Sequence, residues 1–406
     1  MGRPDVVVLQ SNGNLDRLAE KQDGTTLLYV TGVAVGGKFA LGDLLGPFYS
    51  PEDADTESIN AAYDVTNTSL AYQHIVDFFA GAGNGTKLYV VVQANTVTMA
   101  QITDKTAAHA ATHLSTLKGE VRILIVTRIP DAVGTITNQI PDDIGTAITN
   151  AQALRDFEYE APRHRPIQIF LEGHNWGGTA STTKDQRTVT SNRVTVVLSQ
   201  DRDKALSNAA FNKYANAAFA GGVVAGDPVH RNPGRVKSGA RTHVTNAGIS
   251  SGALVSTLTE ANLQILHEFG YMIMWKHSGK DGWFFNDFPT CVALTDDYAY
   301  GTEGRTMDKA ARIIRTVYLE ELLDDVQVNP ETGKLDIGVV KNYQGICDKA
   351  LNLELVSQGE ASGAKTFTDP AQDVNTTDKI VTKIQIVKKG TARNIEATVG
   401  FAISLS

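Results

Sequence analysis

Residues 32–38 match part of the phosphate-binding loop that holds a nucleoside triphosphate. They read Gly-Val-Ala-Val-Gly-Gly-Lys and follow a predicted strand. The next position is Phe39, where such a loop needs a serine or threonine hydroxyl to bind Mg²⁺. Leu41-Gly42 and Gly46-Pro47 would also interrupt the helix whose amino end must face the phosphates. The sequence therefore favours a glycine-rich turn that hydrolyses no nucleotide.

Histidines and paired acids give no stronger indication of catalysis. His109 and His113 have the i, i+4 spacing of a helical zinc pair, but alanine follows the first histidine where the HExxH pattern needs glutamate. We interpret both as surface residues. Neighbouring acids such as Asp296-Asp297 and Glu320-Glu321 point apart, and no GxSxG motif is present. We therefore predict no catalytic residue, no metal site and no cofactor, and we expect that the protein is not an enzyme.

Aromatic residues concentrate around Gly282. The members of this cluster are Trp275, Trp283, Phe284, Phe285 and Phe288. Burial is the favoured interpretation, because aromatic side chains dominate cores and large apolar patches are seldom left exposed. The alternative is an α/β enzyme or small-molecule binder that uses an aromatic pocket near Trp283.

Length, charge and cysteine content limit the possible classes of protein. A chain of 406 residues predicts two or more packed units, and its 42% hydrophobic and 20% charged residues are ordinary globular values. The net charge of −8 and the lack of a basic block make nucleic acid an unexpected partner. Two cysteines cannot form a dense disulfide framework, which indicates a reducing cytoplasm. The apolar run Val6–Leu9 is too short for a signal peptide or a membrane span, so we expect no membrane insertion.

Short β-branched runs alternate with helical stretches along the first half of the chain. The predicted strands cover residues 26–31, 88–93, 121–127, 167–171 and 194–198, and the predicted helices cover residues 70–79, 99–117 and 144–157. This alternation predicts a layered α/β fold. Residues 173–193 show no period and are predicted to form an exposed loop.

A shift towards Asp-Pro, Asn-Pro-Gly and scattered arginine at residues 227–238 indicates a domain boundary. Beyond it we predict a helix over 306–323, with Leu322 in its buried stripe, a helix over 340–356 and a linker over 357–378. The predicted divisions are an amino-terminal arm (1–22), an α/β domain (23–235), an α/β core (236–378) and a carboxy-terminal β arm (379–406).

The carboxyl end carries the most regular pattern. Its alternating apolar positions are Ile395, Ala397, Val399, Phe401, Ile403 and Leu405. A period of two predicts a strand of about twice the usual length, and a long strand at a free end exposes unpaired backbone groups. The apolar run Val6, Val7, Val8 and Leu9 poses the same problem at the amino end. We therefore expect both arms to pair with neighbouring copies of the chain.

Three segments in a fixed order carry a resemblance to a known family. Residues 282–287 read Gly-Trp-Phe-Phe-Asn-Asp, residues 306–315 Thr-Met-Asp-Lys-Ala-Ala-Arg-Ile-Ile-Arg, and residues 326–335 Val-Gln-Val-Asn-Pro-Glu-Thr-Gly-Lys-Leu. The ending 388–401 reads Lys-Lys-Gly-Thr-Ala-Arg-Asn-Ile-Glu-Ala-Thr-Val-Gly-Phe. With the predicted order of strand, aromatic turn, two helices, linker and terminal strands, these segments resemble contractile tail sheath proteins of bacteriophages and related contractile injection systems.

The resemblance implies a sheath-type α/β fold with extended β arms and a structural role without catalysis. Subunits of such a sheath stack as hexameric rings around an inner tube and contract to drive the tube through a target envelope. The implied partners are further copies of the chain, the inner tube protein, and baseplate and terminator proteins, with assembly in the bacterial cytoplasm. The helix over 340–356 would face the tube with Lys341, Asp348, Lys349 and Glu354 on its polar side. An α/β assembly protein of another kind remains the third hypothesis.

Overall fold

The computed structural model describes residues 22–401. The chain divides into two compact units between Lys309 and Ala310. The expected boundary between residues 235 and 236 lies inside the first unit. The reason is that the chain returns after residue 236 to the same central sheet, through a strand at Tyr271–Met272.

A seven-stranded sheet forms the centre of the first unit. Its strands are Thr26–Thr31 (β1), Leu44–Phe48 (β2), Leu88–Gln93 (β3), Ile123–Val126 (β4), Gln168–Glu172 (β5), Val194–Val197 (β6) and Tyr271–Met272 (β7). Their spatial order is β7-β6-β5-β4-β1-β3-β2, and only β2 runs antiparallel to its neighbour. Leu27 of β1 lies between Tyr89 of β3 and Leu124 of β4. The strands predicted from continuous apolar runs are confirmed, as expected for a parallel sheet buried on both faces.

Nine helices of the described chain begin in the first unit. They are Ala61–Asn67 (α1), Ala71–Ala82 (α2), Met99–Thr103 (α3), Ala110–Thr116 (α4), Asp142–Tyr159 (α5), Arg202–Leu206 (α6), Ala217–Gly226 (α7), Glu260–Glu268 (α8) and Gly301–Leu319 (α9). The single helix predicted over 99–117 is therefore wrong, because it is interrupted between α3 and α4. There Asp104 accepts hydrogen bonds from the backbone N–H and hydroxyl of Thr106.

Short strands complete the first unit. They cover Ile136–Thr137, Ile140–Pro141, Thr190–Ser191, Ser199–Asp201, Ala247–Ile249, Ala253–Leu254, Met274–Trp275, Phe284–Phe285 and Cys291–Val292. Residues 173–193, predicted as an exposed loop, contain the fully buried Trp176, whose indole N–H donates to Thr183 at 2.9 Å. The prediction is wrong because these polar residues serve as internal hydrogen-bond partners for buried side chains.

Helices α2 and α7 pack closely on each other through glycine. A Cβ added at Gly81 would lie 2.5 Å from the backbone nitrogen of Val223, and one added at Gly222 would meet the carbonyl oxygen of Phe78. Backbone contact of this kind leaves no room for a side chain at either position.

The second unit combines the second half of α9 and two further helices with a β hairpin. Its elements after α9 are Ile337–Leu351 (α10), a π turn at Asn352–Val356, Ala361–Thr368 (β8), Val374–Thr377 (α11) and Thr382–Lys388 (β9). The core comprises Ala310, Ile313, Cys347, Leu351, Leu355 and Ala361. The helix predicted over 340–356 is confirmed. The linker predicted over 357–378 is wrong, because β8 lies within it and pairs antiparallel with β9.

Residues 389–401 form neither helix nor strand and are exposed throughout. Within this segment Val399 exposes 96% of its surface. The predicted terminal strand is therefore not formed in the single chain as far as residue 401. The predicted positions Ile403 and Leu405, and Val6, Val7, Val8 and Leu9, lie outside the described residues.

Candidate interaction site

The β8–β9 hairpin offers strand edges for pairing. Ala364 pairs with Ile386 and Phe367 with Lys383, and no third strand of the described chain joins these two. Side chains of β9 alternate, with Ile384 and Ile386 packed on the core of the second unit. The outer edge of β8 is partly occupied by α10, because the Thr366 N–H donates to Asp348 and the Thr368 carbonyl oxygen accepts from Gln344. The outer edge of β9 is therefore the one where a further strand could add.

A groove of about 660 Å³ lies beside the hairpin in the second unit. Its apolar lining residues are Ile314, Tyr318, Leu322, Leu323, Val326, Tyr343, Val374, Ile380 and Ile384. Acidic side chains at the same groove are Glu321, Asp324 and Asp378. The groove therefore combines an apolar floor with a mainly acidic border.

Leu322 and Leu323 of the groove lie beyond the end of α9, which the sequence did not predict. Leu322 was expected in the buried stripe of the long helix, but that helix ends at Leu319. Leu322 and Leu323 then lie in the connection to α10, and Leu323 exposes 98% of its surface. The sequence has no glycine or proline between Leu319 and Leu323, so it gives no signal that the helix ends before these leucines.

Three of the four predicted tube-facing residues are exposed on α10 and on the π turn that follows it. Lys341, Lys349 and Glu354 are exposed. Asp348 instead faces the hairpin, where its carboxylate accepts bonds from the Lys365 ammonium at 2.5 Å and the Thr366 N–H at 2.8 Å. Burial raises the pKa of Asp348, but these bonds outweigh it and lower the pKa below its ordinary value. Asp348 therefore fastens β8 to α10.

The loop after β1 is a turn, as predicted. Val35 and Phe39 form an antiparallel bridge, and the Phe39 side chain is buried. The Lys38 ammonium donates to the carbonyl oxygen of Thr56 at 2.8 Å. Lys38 is thus bound to its own chain on a loop without a following helix.

His109 and His113 were predicted to lie on the surface, but neither is an exposed residue. His113 is buried against the sheet, with its Nδ1 hydrogen-bonded to the hydroxyl of Tyr29, and burial lowers its pKa. His109 is half-buried, and burial lowers its pKa as well. The surface interpretation is wrong because α4 turns His113 towards β1. No group of three possible metal ligands occurs within residues 22–401.

The aromatic cluster belongs to the core, which confirms the favoured interpretation. Trp283, Phe284, Phe285 and Phe288 are buried, and Trp275 is half-buried. The Trp283 indole N–H donates to the carbonyl oxygen of Thr245 at 2.9 Å, and the Lys276 ammonium lies 4.5 Å from the ring centroid. Both the polar atom and one face of Trp283 are therefore occupied by the chain itself.

Glu172 occupies the place where open α/β sheets commonly bind ligands, at the carboxyl ends of parallel strands. Its carboxylate accepts backbone N–H bonds from Arg128 and Ala215, each at 2.6 Å. Burial raises the pKa of Glu172 to about 8, against the opposing effect of these bonds and of the Arg128 charge. Since both oxygens are bonded to the backbone, Glu172 serves the fold at this edge.

Comparison with family models identifies the relationship of the chain. Models described as the DUF2586 N-terminal domain and the DUF2586 C-terminal domain match residues 3–289 and 297–406. The chain belongs to the DUF2586 family. No match was found among curated proteins. Within the described residues, no helix of this DUF2586 member is long and apolar enough to cross a membrane.

Solved structures of contractile particles share the fold of this DUF2586 member. A chain of the anti-feeding prophage baseplate has a TM-score of 0.62 at 16% identity, covering 99% of this chain and 100% of that chain. A chain of the contracted anti-feeding prophage helical sheath has a TM-score of 0.62 at 14% identity, covering 100% of both. A chain of the contracted PVC sheath complex has a TM-score of 0.58 at 12% identity, covering 99% of this chain and 98% of that chain. The resemblance to contractile sheath proteins is thereby confirmed for the α/β fold.

Proposed function

We propose that this chain is a contractile sheath subunit that polymerises as stacked hexameric rings around an inner tube. Its contraction drives the tube through a target envelope, and the chain itself performs no catalysis. The observation that carries the proposal is the shared fold over the full length of a helical sheath chain. The proposed partners are further copies, the inner tube, and baseplate and terminator proteins, with assembly in the bacterial cytoplasm.

Assembly rests on the carboxy-terminal arm. Residues 395, 397, 399 and 401 alternate with more polar positions, yet the single chain leaves this segment exposed and without a partner strand. A neighbouring hairpin supplies the outer edge of β9, and the apolar groove beside it can bury the alternating side chains. The carboxy-terminal arm of one copy and the hairpin of the next then form a continuous mesh of paired strands.

The mesh explains how subunits can slide without separating. Backbone pairing between an arm and a hairpin is retained while the packed surfaces of the larger units move between two discrete arrangements. Contraction requires no bound nucleotide in this scheme, because the free-energy difference lies in subunit contacts.

The exposed face of α10 is the proposed contact with the tube. Lys341 and Lys349 lie about two turns apart, and Glu354 follows in the π turn. Exposed charged contacts of this kind are weak and hydrated, which suits a surface that must hold the tube and then release it. Asp348 contributes indirectly, because it holds β8 on the same helix.

A pair of single substitutions in the arm tests the proposal. Val399→Asp places a charge on the apolar side of the proposed strand, whereas Thr398→Asp places the same charge on the opposite side. We expect Val399→Asp to abolish the long cylinders seen by negative-stain microscopy, while Thr398→Asp retains them. Both proteins should unfold at the temperature of the unmodified chain, because Thr398 and Val399 are both exposed in it.

Deletion of residues 391–406 provides the second measurement. The shortened chain should remain a folded subunit that builds no cylinders. Cylinders of normal length from either the deletion or Val399→Asp would contradict the role of the arm. A discrete small oligomer from the unmodified chain would contradict the sheath function itself.

A further inference from the structure

A polar cavity of about 540 Å³ opens in the first unit beside α4 and the end of α5. Its lining includes two arginines, a lysine, a glutamate and several hydroxyl groups. The polar members are Lys105, Thr106, Thr112, Ser115, Thr116, Glu158, Arg163 and Arg165. Its volume lies in the range of small-molecule sites, but its lining is more polar than the apolar lining usual for them.

The lining is cationic although the protein is acidic. Lys105, Arg163 and Arg165 oppose the single carboxylate Glu158, while the whole chain has a net charge of −8. Three cations against one carboxylate leave an excess of two positive charges in one concave surface. Such an excess favours an anionic occupant.

Arg163 is held in a fixed plane. Its guanidinium carbon lies 3.4 Å from the centroid of the Phe157 ring, and Nη1 donates to the carbonyl oxygen of Phe157 at 3.2 Å. A guanidinium carries five N–H donors, so this single bond leaves most of the planar fork available. A planar fork fixed in advance matches the geometry of phosphate oxygens.

The Arg165 side chain is held in place by contacts with Glu158 and Leu114. Arg165 Nε lies 2.6 Å from Glu158 Oε2, and Nη1 donates to the carbonyl oxygen of Leu114 at 3.3 Å. Glu158 is fully buried, and its Oε1 has no hydrogen-bond donor in the described part of the chain. The Glu158 carboxylate therefore offsets the charge of Arg165, and the excess positive charge of the cavity lies on Arg163 and Lys105.

We propose that this cavity binds a compact anion that carries two or more phosphate groups. Arg163 binds one phosphate through its fork, and Lys105 provides a second charge from the loop before α4. The hydroxyls of Thr112 and Ser115 line the same cavity and supply further donors. This site is independent of arm pairing and of the groove in the second unit.

Titration calorimetry of the full chain with inorganic pyrophosphate tests the site. At constant ionic strength we expect saturable binding to one site, weaker binding of orthophosphate, and no comparable binding of citrate. Arg163→Lys keeps the charge but loses the fork, and should weaken pyrophosphate binding roughly tenfold. Lys105→Gln should weaken it severalfold. Lys237→Gln, which removes an exposed lysine from outside the cavity, should leave binding unchanged.

Three outcomes would overturn the proposal. The first is a lack of saturable pyrophosphate binding at millimolar concentration. The second is equal binding by citrate, which would indicate a general anion surface. The third is unchanged binding in both Arg163→Lys and Lys105→Gln, which would leave Arg163 and Lys105 without a role in binding. Should Arg163→Lys fail to fold, Lys105→Gln decides alone, because the Lys105 side chain is exposed.

Discussion

At the scale of single residues, a histidine and an aspartate join two distant parts of the first unit. Nε2 of His243 lies 2.8 Å from Oδ1 of the buried Asp77 on α2. The hydrogen bond to Asp77 raises the pKa of His243, and burial opposes it without cancelling the rise. The protonated pair therefore stabilises the folded chain below the ordinary histidine pKa, and this contribution is lost as pH rises through the higher folded pKa.

We predict that His243→Asn lowers the free energy of unfolding by roughly 1–2 kcal/mol in mildly acidic buffer and by less in alkaline buffer. Urea denaturation at about pH 5.5 and about pH 8.5 measures the difference. His164→Asn is the matched control, since His164 has a positive φ of 54° that asparagine tolerates. An equal loss at both pH values would show that the charge of His243 is unimportant.

At the scale of secondary-structure elements, the contact of α2 with α7 depends on the absence of side chains. Gly222→Ala would drive a methyl group into the carbonyl of Phe78, and the two helices must then separate. We predict a loss of about 3 kcal/mol or more in unfolding free energy. Gly145→Ala on α5 is the control, because its added methyl group meets nothing within 4 Å. That control should be neutral or stabilising by up to about 1 kcal/mol.

The elements also show what a sequence can predict. Five strands of the main sheet were predictable because a strand buried on both faces is continuously apolar, as in Leu88–Gln93. Helix α7 was not, because its alanines and glycines are buried all round and show no amphipathic period. Strand β8 reads as a linker because Ser362, Gly363 and Ala364 occupy it. Its strand conformation comes from pairing with β9, which composition does not reveal.

The candidate interaction site was also only partly predictable from the sequence. The alternation from Ile395 to Phe401 predicts an arm that pairs with a neighbouring strand, and the single chain leaves that arm exposed. The role of Asp348 was not predictable, since helical periodicity gives its direction but not the position of Lys365. The groove was missed because the end of α9 could not be placed at Leu319 from composition alone.

At the scale of the whole molecule, attachment to a tube should depend on salt and on two lysines. Replacing Lys341 and Lys349 together by glutamate reverses the charge on the exposed face of α10. We predict several-fold less co-sedimentation of sheath with tube and a weaker response to added salt, with cylinder formation unaffected. Lys237→Glu and Lys280→Glu together form the control, because both lysines are exposed in the other unit. Unchanged co-sedimentation and salt response would place the tube contact elsewhere.

The exposure of residues 389–401 also bears on aggregation before assembly. The single chain presents a β-prone segment without proline, together with a hairpin edge on β9 that could pair with it non-specifically. Charged residues interrupt this stretch at Lys389, Arg393 and Glu396. Such charges act as gatekeepers, because stacking identical segments in register would bring like charges together. The same arm that would link subunits in an ordered polymer thus carries its own protection against amyloid-like association.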